Sequence, residues 1–184
     1  LTPERIVFTS GATEANNLAL LGHARAMGSG HLISLTTEHH AVLDPLQQLQ
    51  REGFSVTLLG PGPDGLITPE QLEEAMTPET RLVSVMAANN EIGVLQPLAE
   101  LAAICRGRGI RLHSDAAQAL GHIPLEPDAL GLDLVSLSAH KLYGPKGIGA
   151  LVIREGTELQ PLQWGGGQER GLRAGTLPTG LIVG

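Results

Sequence analysis

Short apolar runs rich in β-forming residues alternate along the chain with segments of helical periodicity. The runs lie at 5–10, 31–37, 54–60, 81–88, 110–115, 133–140 and 147–154, and the helical segments at 12–27, 41–52, 69–76 and 97–108. This alternation is typical of α/β proteins, in which a helix joins neighbouring parallel strands. Several runs are apolar on both faces, as in strands that helices cover on both sides. The pattern therefore predicts a mostly parallel sheet with helices on both faces.

The last two runs are joined differently from the others. Only residues 141–146 separate them, and this loop is too short for the crossover that parallel strands need. The strand at 147–154 should therefore return antiparallel. We expect an α/β domain over residues 1–184, with one antiparallel strand in its sheet.

Composition limits the partners and the compartment. The formal net charge of -7 argues against a nucleic-acid or anionic-membrane partner, although a local pocket for one phosphate is compatible with it. The single cysteine, Cys105, excludes an internal disulfide framework and indicates a reducing, cytoplasmic compartment. No Cys/His spacing predicts a metal site, and no apolar segment reaches the roughly 20 residues that span a bilayer.

Polar residues follow the predicted strands at one end of the sheet, where ligands bind in open parallel sheets. Hydroxyls, imidazoles and amides dominate the set, together with a carboxylate and an amine, whereas solvated loops are richer in Lys, Glu and Arg. Its members are Ser10, Thr13, Glu38, His39, His40, Asn89, Asn90, Glu91, Asp115, Gln118, Ser138, His140 and Lys141. This composition indicates a binding site.

The stretch SGAT, residues 10–13, allows two interpretations. Ser10 and Thr13 would cap the helix that begins near Ala12, since hydroxyls are favoured there. Alternatively, backbone N–H groups, the Thr13 hydroxyl and the positive end of the helix dipole would hold a phosphate. The chain has no P-loop motif, which disfavours a nucleoside triphosphate. One phosphate monoester is therefore the better candidate.

The imidazole, amides and carboxylate allow similar alternatives. His39 could be a solvated loop residue, or it could stack on a flat cofactor and carry protons. Asn90 could be a turn residue. Asp115 could cap the segment after it, or its carboxylate could meet a cation such as a protonated pyridine nitrogen. Gln118, one turn further on, should project to the same side.

The chain has ten Arg but only two Lys, and both lysines, Lys141 and Lys146, lie in one short loop. A loop lysine is usually a solvated charge. An amine can, however, lose its proton when partly buried and condense with an aldehyde, whereas guanidinium stays charged. Lys141 directly follows a strand and is the better candidate, whereas we expect Lys146 to be structural. With a phosphate site and an anionic partner for a pyridinium, such a lysine indicates pyridoxal phosphate.

Six sequence blocks resemble one family over nearly the whole chain. They are SGATEANN, TEHHAVLDP, NNEIGVLQP, HSDAAQALGHIPL, SAHKLYGPKGIGAL and GGGQERGLRAGTLP. In this order they resemble the cysteine desulfurases among the class V aminotransferase-like, fold-type I pyridoxal phosphate enzymes. The resemblance implies that residues 1–184 are the cofactor-binding large domain of such an enzyme. An N-terminal segment and a small C-terminal domain would lie outside it.

The resemblance also implies roles for single residues. Lys141 would hold the cofactor as a Schiff base and move protons, His39 would stack on its ring as an acid or base, and Asp115 would pair with the ring nitrogen. Gln118 would bond the ring hydroxyl, and Asn90 would lie beside ring and substrate. The residues expected at the phosphate are Ala12, Thr13, Ser138 and His140, with Thr176 reaching the phosphate of a neighbouring subunit in a homodimer.

The activity implied is the conversion of L-cysteine to L-alanine. Sulfur would pass as an enzyme persulfide to an acceptor protein, for iron–sulfur cluster or thiolated RNA synthesis. The catalytic cysteine of such enzymes belongs to a loop beyond Gly184, so this chain alone should be inactive. Cys105 forms an apolar helical stripe with Leu98, Leu101 and Ala102, and we expect it in the core instead. Two alternatives stay open: a selenocysteine lyase or other β-elimination lyase, and a non-catalytic dimeric scaffold.

Overall fold

The computed structural model describes residues 1–184 and contains seven strands. They are β1 (Ile6–Thr9), β2 (His31–Leu35), β3 (Ser55–Leu59), β4 (Thr80–Ser84), β5 (Arg111–Asp115), β6 (Leu134–Ser138) and β7 (Gly149–Ile153). They form one sheet in the order β1-β7-β6-β5-β4-β2-β3. The pairs from β3 across to β6 are parallel, and β7 is antiparallel to both β6 and β1. The predicted mixed sheet with one antiparallel strand is confirmed.

The four predicted helices are present. The first, α1, is continuous and has three parts: Ala12–Asn17, a π-helical turn at Leu18–Gly22, and His23–Met27. The others are α2 (His40–Arg51), α3 (Pro69–Ala75) and α4 (Leu98–Gly107). Shorter elements are α5 (Pro127–Leu130), α6 (Thr179–Val183) and 3-10 turns at Pro3–Arg5, Ala139–Leu142 and Gln168–Gly171. None of the helices has the length and apolar character needed to cross a bilayer.

Local sequence signals explain where α3 begins. Thr68 Oγ1 accepts a hydrogen bond from the Gln71 backbone N–H at 3.2 Å, and Gln71 Oε1 accepts one from the Thr68 N–H at 2.8 Å. This reciprocal capping box satisfies two donors that a helix start leaves open. Pro69 occupies the first helical position, where its missing N–H costs nothing.

Two apolar clusters cover the opposite faces of the sheet. One contains 19 buried residues, including those of α3 and α4, and the other contains 16, including those of α1 and α2. Neighbouring residues of one strand, such as Leu32 and Ile33, belong to different clusters because successive side chains of a strand point to opposite faces. Helices therefore cover both faces, as the apolar runs predict.

Cys105 belongs to the core. It is 1% exposed and lies in the larger cluster with Leu98, Leu101 and Ala102, so the predicted apolar stripe is confirmed. Burial raises the pKa of its thiol to about 12, and the nearby Asp133 charge adds to the shift. A thiol held neutral in this way is a poor nucleophile.

Candidate functional site

A cavity of about 640 Å³ opens where the parallel strands end. Nine of the ten predicted site residues line it: Ala12, Thr13, His39, Asn90, Asp115, Gln118, Ser138, His140 and Lys141. The tenth, Thr176, is exposed and lies outside the lining. Lys146, which we expected to be structural, is exposed and lines the same cavity. Both amines of the chain are therefore available at one site.

The first turn of α1 has no side-chain cap. Its N-cap residue is Gly11, and no side chain accepts a hydrogen bond there. The interpretation of Ser10 and Thr13 as caps is therefore wrong. The Ser10 backbone N–H instead donates to Glu14 Oε2 at 2.7 Å, and Thr13 is exposed. An uncapped helix start presents N–H donors and a positive dipole end to an anion.

Glu14 also lines the cavity, but its charge is paired. Arg173 Nε donates to Glu14 Oε1 at 2.8 Å. Although burial raises the pKa of Glu14, hydrogen bonds from Arg173 and Ser10 bring it below its ordinary value. The ion pair leaves the α1 start available to another anion. It also ties α1 to the segment that carries Thr176, a contact that the sequence did not reveal.

A glycine lets two backbone segments meet beside the α1 start. Gly149, the first residue of β7, pairs with both Thr9 and Ser138. A Cβ on Gly149 would lie 2.5 Å from Leu137 O and 2.6 Å from Gly11 Cα, closer than atoms can approach. The absence of a side chain therefore brings the SGAT loop against the end of β6.

The end of β6 adds polar groups to the same corner of the cavity. Ser138 is 3% exposed, and its Oγ lies 2.8 Å from His140 Nδ1, so the hydroxyl and the imidazole orient each other. A Cβ on Gly11 would lie 3.9 Å from Ser138 Oγ. The hydroxyl is thus adjacent to the uncapped helix start. Lys141 follows in the 3-10 turn Ala139–Leu142.

Asp115 ends β5 and lies in the cavity wall, 7% exposed. Its Oδ1 accepts a hydrogen bond from the Ala117 N–H at 2.9 Å, and its Oδ2 accepts one from Asn16 Nδ2 at 2.6 Å. Both donors are neutral, and Asp115 has no ion-pair partner in the chain. The contact with Ala117 is the cap-like bond considered as an alternative. It occupies only one of the four lone pairs of the carboxylate.

His39 precedes α2 and faces the cavity from the other side. Its Nδ1 accepts a hydrogen bond from the Ala41 backbone N–H at 3.0 Å. This bond requires a lone pair on Nδ1, so the neutral ring carries its proton on Nε2. The imidazole is therefore held in one tautomer and remains exposed.

Glu38 lies behind the cavity wall and is 5% exposed. Its Oε1 accepts a hydrogen bond from the Met86 N–H at 2.7 Å, and its Oε2 is buried without a partner. Burial raises the pKa of Glu38 to about 8, the Met86 hydrogen bond opposes the shift, and the charge of Asp115 adds to it. Glu38 is therefore a neutral acid at pH 7.

The two asparagines after β4 have different surroundings. Asn89 is buried, and its Oδ1 accepts hydrogen bonds from the backbone N–H groups of Glu91 at 2.9 Å and Ile92 at 3.0 Å. Asn90 is exposed and lines the cavity. The side chain that stabilises the turn is thus that of Asn89, which leaves the Asn90 amide free.

Sequence reasoning missed Asn16, which is fully buried in α1 and bonded to Asp115. One signal could have revealed it. Asn16 lies on the same helical stripe as Ala19, Leu20 and His23, and a polar amide on an apolar stripe needs a buried partner. The partner itself, 99 residues away, cannot be read from periodicity.

A carboxylate, two amines and an uncapped helix start lie at one edge of the mixed sheet. The aminotransferase class-V family model matches residues 2–184, and the chain belongs to this family. Its members depend on pyridoxal phosphate. The family predicted from the six sequence blocks is confirmed.

Two similar proteins are cysteine desulfurases. The chain is 54% identical over 186 residues to the mitochondrial cysteine desulfurase of Eremothecium gossypii, covering 99% of this chain and 38% of that protein. It is 55% identical over 186 residues to cysteine desulfurase IscS of Aeromonas hydrophila, covering 99% and 46%. The chain thus spans less than half the length of these two relatives.

Solved structures share the fold. A structure described as SspA in complex with cysteine has a TM-score of 0.96 and 47% identity, covering 99% of this chain and 54% of that one. A NifS-like protein has a TM-score of 0.96 and 41% identity, covering 100% and 51%. These agreements extend over the entire seven-stranded sheet.

The donor set of the cavity fits pyridoxal phosphate. The group carries a phosphate, a basic ring nitrogen and an aldehyde. The cavity offers an uncapped helix start with an adjacent hydroxyl, a carboxylate without a cation, and two amines. Each part of the cofactor therefore has a partner of matching chemistry.

Proposed function

We propose that this chain is the cofactor-binding large domain, residues 1–184, of a pyridoxal phosphate-dependent cysteine desulfurase. The reaction converts L-cysteine and an enzyme thiol to L-alanine and an enzyme persulfide. One observation supports it above the others: the buried Asp115 has no cation of its own and shares a cavity with both lysines. The names of the relatives support the choice of substrate.

Lys141 is the proposed attachment residue and proton carrier. It lies in the 3-10 turn that follows β6, and it lines the same cavity as Ser138 and Asp115. When bound, the cofactor supplies an aldehyde that condenses with amines and a ring that withdraws electrons. The amine of Lys141 would hold the cofactor at this aldehyde and, when free, would take the proton from the substrate Cα.

The other residues bind, orient and exchange protons. Ala12, Thr13, Ser138 and His140 hold the phosphate, and the Gln118 amide bonds the ring hydroxyl. His39 would stack on the ring and act as an acid or base at Nε2, because its Nδ1 is bonded to the Ala41 N–H. Asp115 holds the ring nitrogen protonated, because a carboxylate favours an adjacent positive charge. Asn90 lies beside ring and substrate.

We propose that the sulfur-accepting cysteine lies outside this chain. Cys105 is buried with a pKa of about 12, so it supplies no thiolate at the cavity. The chain alone should therefore not turn over L-cysteine. In the intact protein, sulfur would pass from the persulfide to an acceptor protein, for iron–sulfur cluster or thiolated RNA synthesis.

We further propose a homodimer in a reducing, cytoplasmic environment. Thr176 is exposed and outside its own cavity, which suits a residue that reaches the phosphate of a second subunit. The Arg173–Glu14 ion pair connects the Thr176 segment to the phosphate corner of its own subunit.

The single buried thiol requires no oxidising compartment.

The test is an assay of the full-length protein with pyridoxal phosphate, L-cysteine and a thiol reductant. Alanine and sulfide should appear in equal amounts. Lys141→Ala should abolish both, and so should Lys141→Arg, which keeps the charge but cannot condense with an aldehyde. Pyruvate and ammonia in place of alanine would identify a β-elimination lyase. Faster turnover of selenocysteine would identify a selenocysteine lyase, and a bound cofactor without turnover would identify a scaffold.

A further inference from the structure

We propose that Asn16 is a positioning residue, which aims the Asp115 carboxylate at the ring nitrogen of the cofactor. The proposal rests on the function proposed above and assigns a role to a side chain that does not line the cavity. Asn16 acts through Asp115 and has no contact with cofactor or substrate.

The contact is short, buried and long-range. Asn16 is 0% exposed, and its Nδ2 lies 2.6 Å from Asp115 Oδ2. The two residues are 99 positions apart, so the bond joins α1 to the carboxyl end of β5. The helix that begins at the proposed phosphate corner therefore also fixes the carboxylate proposed for the ring nitrogen. One rigid element sets the positions of both ends of the cofactor.

The unpaired oxygen of Asn16 argues against a purely structural role. Its Oδ1 is buried and has no hydrogen-bond partner, which lowers stability. An apolar side chain would fill this position of the α1 stripe, next to Leu20, without that cost. The hydrogen bond from Nδ2 to Asp115 explains why an amide occupies this position. A carboxylate can only accept, so Asp115 orients the amide with Nδ2 toward it and leaves Oδ1 unpaired.

A neutral donor is suited to this role. Asn16 orients Oδ2 and the Ala117 N–H orients Oδ1, so both torsions of the carboxylate are fixed. Neither donor neutralises the charge, whereas Lys or Arg at position 16 would form an ion pair with Asp115 and compete with the ring nitrogen. The acid behind the cavity wall, Glu38, does not supply a counter-charge to Asp115 either. Its Oε1 accepts a hydrogen bond from the neutral Met86 N–H.

The test compares Asn16→Asp with Asn17→Asp in the full-length protein loaded with pyridoxal phosphate labelled with 15N in its ring. Asp has the shape of Asn but places an oxygen against Asp115 Oδ2, so the two carboxyls must share a proton. Asn17 is the matched control, since its Nδ2 donates to Thr13 O on the exposed side of the helix. The 15N chemical shift reports whether the ring nitrogen is protonated, and equilibrium dialysis reports affinity.

Asn16→Asp should move the pH at which the ring nitrogen loses its proton downward by about one unit and weaken the cofactor about tenfold. Asn17→Asp should do neither. A folded Asn16→Asp protein with the wild-type nitrogen titration would overturn the proposal. If the wild-type protein showed no ring nitrogen signal from a cofactor attached at Lys141, the proposed function itself would fail, which is a separate result.

A second pair covers the case in which Asn16→Asp does not fold. Asn16→Leu keeps the branch at Cγ but has no N–H donor, and Asn17→Leu is its matched control. Asn16→Leu should keep less of the ring nitrogen protonated at a given pH than Asn17→Leu. Equal titrations in the two folded variants would show that position 16 serves packing alone.

Discussion

Asp115 and Asp133 are buried to the same degree, 7% and 6% exposed, at opposite ends of the sheet. Asp133 precedes β6, and its Oδ1 accepts a hydrogen bond from Arg111 at 2.9 Å, with Arg154 at 3.7 Å. Its Oδ2 accepts one from the Leu112 N–H at 2.9 Å. Asp115, which ends β5, has only neutral donors. Asp133 therefore has cations within its own chain, and Asp115 has none.

The difference separates a structural carboxylate from a functional one. A buried charge is costly unless a counter-charge accompanies it, and Asp133 meets this requirement with two arginines. Asp115 bears that cost in the free protein. The cost is explained if a ligand brings the positive charge, as the ring nitrogen of pyridoxal phosphate does. Four predictions test this contrast.

Asp115→Asn should have the largest effect. Removing the only carboxylate beside the ring nitrogen should weaken cofactor binding by roughly 100-fold or more, the usual consequence of losing one member of a buried charge pair. Unfolding of the cofactor-free protein should change little, because the charge removed had no counter-charge and the unpaired Asn16 Oδ1 can turn to accept from the new amide. Dialysis and urea denaturation measure the two effects, and a large loss of stability with unchanged affinity would reverse the assignment.

Asp133→Asn should show the opposite pattern. Its new amide cannot accept from both Arg111 and the Leu112 N–H. We therefore expect a loss of about 3 kcal/mol in the free energy of unfolding, and solvation of Arg111 reduces this loss. Cofactor affinity should stay within about twofold of wild type, since the residue is at the far end of the sheet. The same two measurements apply, and a fall in affinity comparable to that of Asp115→Asn would remove the contrast.

Glu38 sharpens the comparison because it is the buried acid that stays neutral. In the unfolded chain its carboxyl has the ordinary glutamate pKa of 4.5, and in the folded protein a pKa of about 8, so between these values only the folded state holds the proton. The contribution of Glu38 to the free energy of unfolding is fully present below pH 4.5. It falls by up to about 1.4 kcal/mol per pH unit as the pH rises to 8. Glu38→Gln stays neutral and should remove this slope. Denaturation between pH 6 and 8 measures it, and identical slopes in both proteins would contradict the neutral state.

Arg154→Ala should have the smallest effect. Its guanidinium lies 3.7 Å from Asp133, beyond hydrogen-bond range, and is 26% exposed. We expect a loss of no more than about 1 kcal/mol, because Arg111 remains as the main partner. Thermal denaturation at low and high salt measures the loss, which should shrink in salt. A loss as large as that of Asp133→Asn would make Arg154 the principal cation.

Periodicity and loop length predicted most of the fold. The alternating runs specified all seven strands, and the loop 141–146 was short enough to reveal that β7 is antiparallel. The stripe of α4 placed Cys105 in the core. The four residues of α5 are too few to show a period, and the π-helical turn inside α1 leaves an ordinary apolar pattern in the sequence.

The site was predictable as an edge of the sheet but not as a network of contacts. Parallel strands bring their carboxyl ends together, so Asp115 and Lys141 could be assigned to one cavity from the sequence. Hydrogen bonds between distant segments leave no local pattern. Asn16 to Asp115 and Arg173 to Glu14 are such bonds, and the cap interpretation of Thr13 failed because Gly11 takes that position uncapped.

The most direct measurement is a crystal structure of the full-length protein with pyridoxal phosphate. We expect the ring nitrogen within about 3 Å of the Asp115 carboxylate, a hydrogen-bond distance, with Asn16 still bonded to the other side of that carboxylate. The aldehyde carbon should be bonded to Lys141 Nζ. A ring nitrogen facing solvent, with Asp115 bonded only to Asn16 and Ala117, would contradict the claim that this carboxylate lacks a cation because the cofactor supplies it.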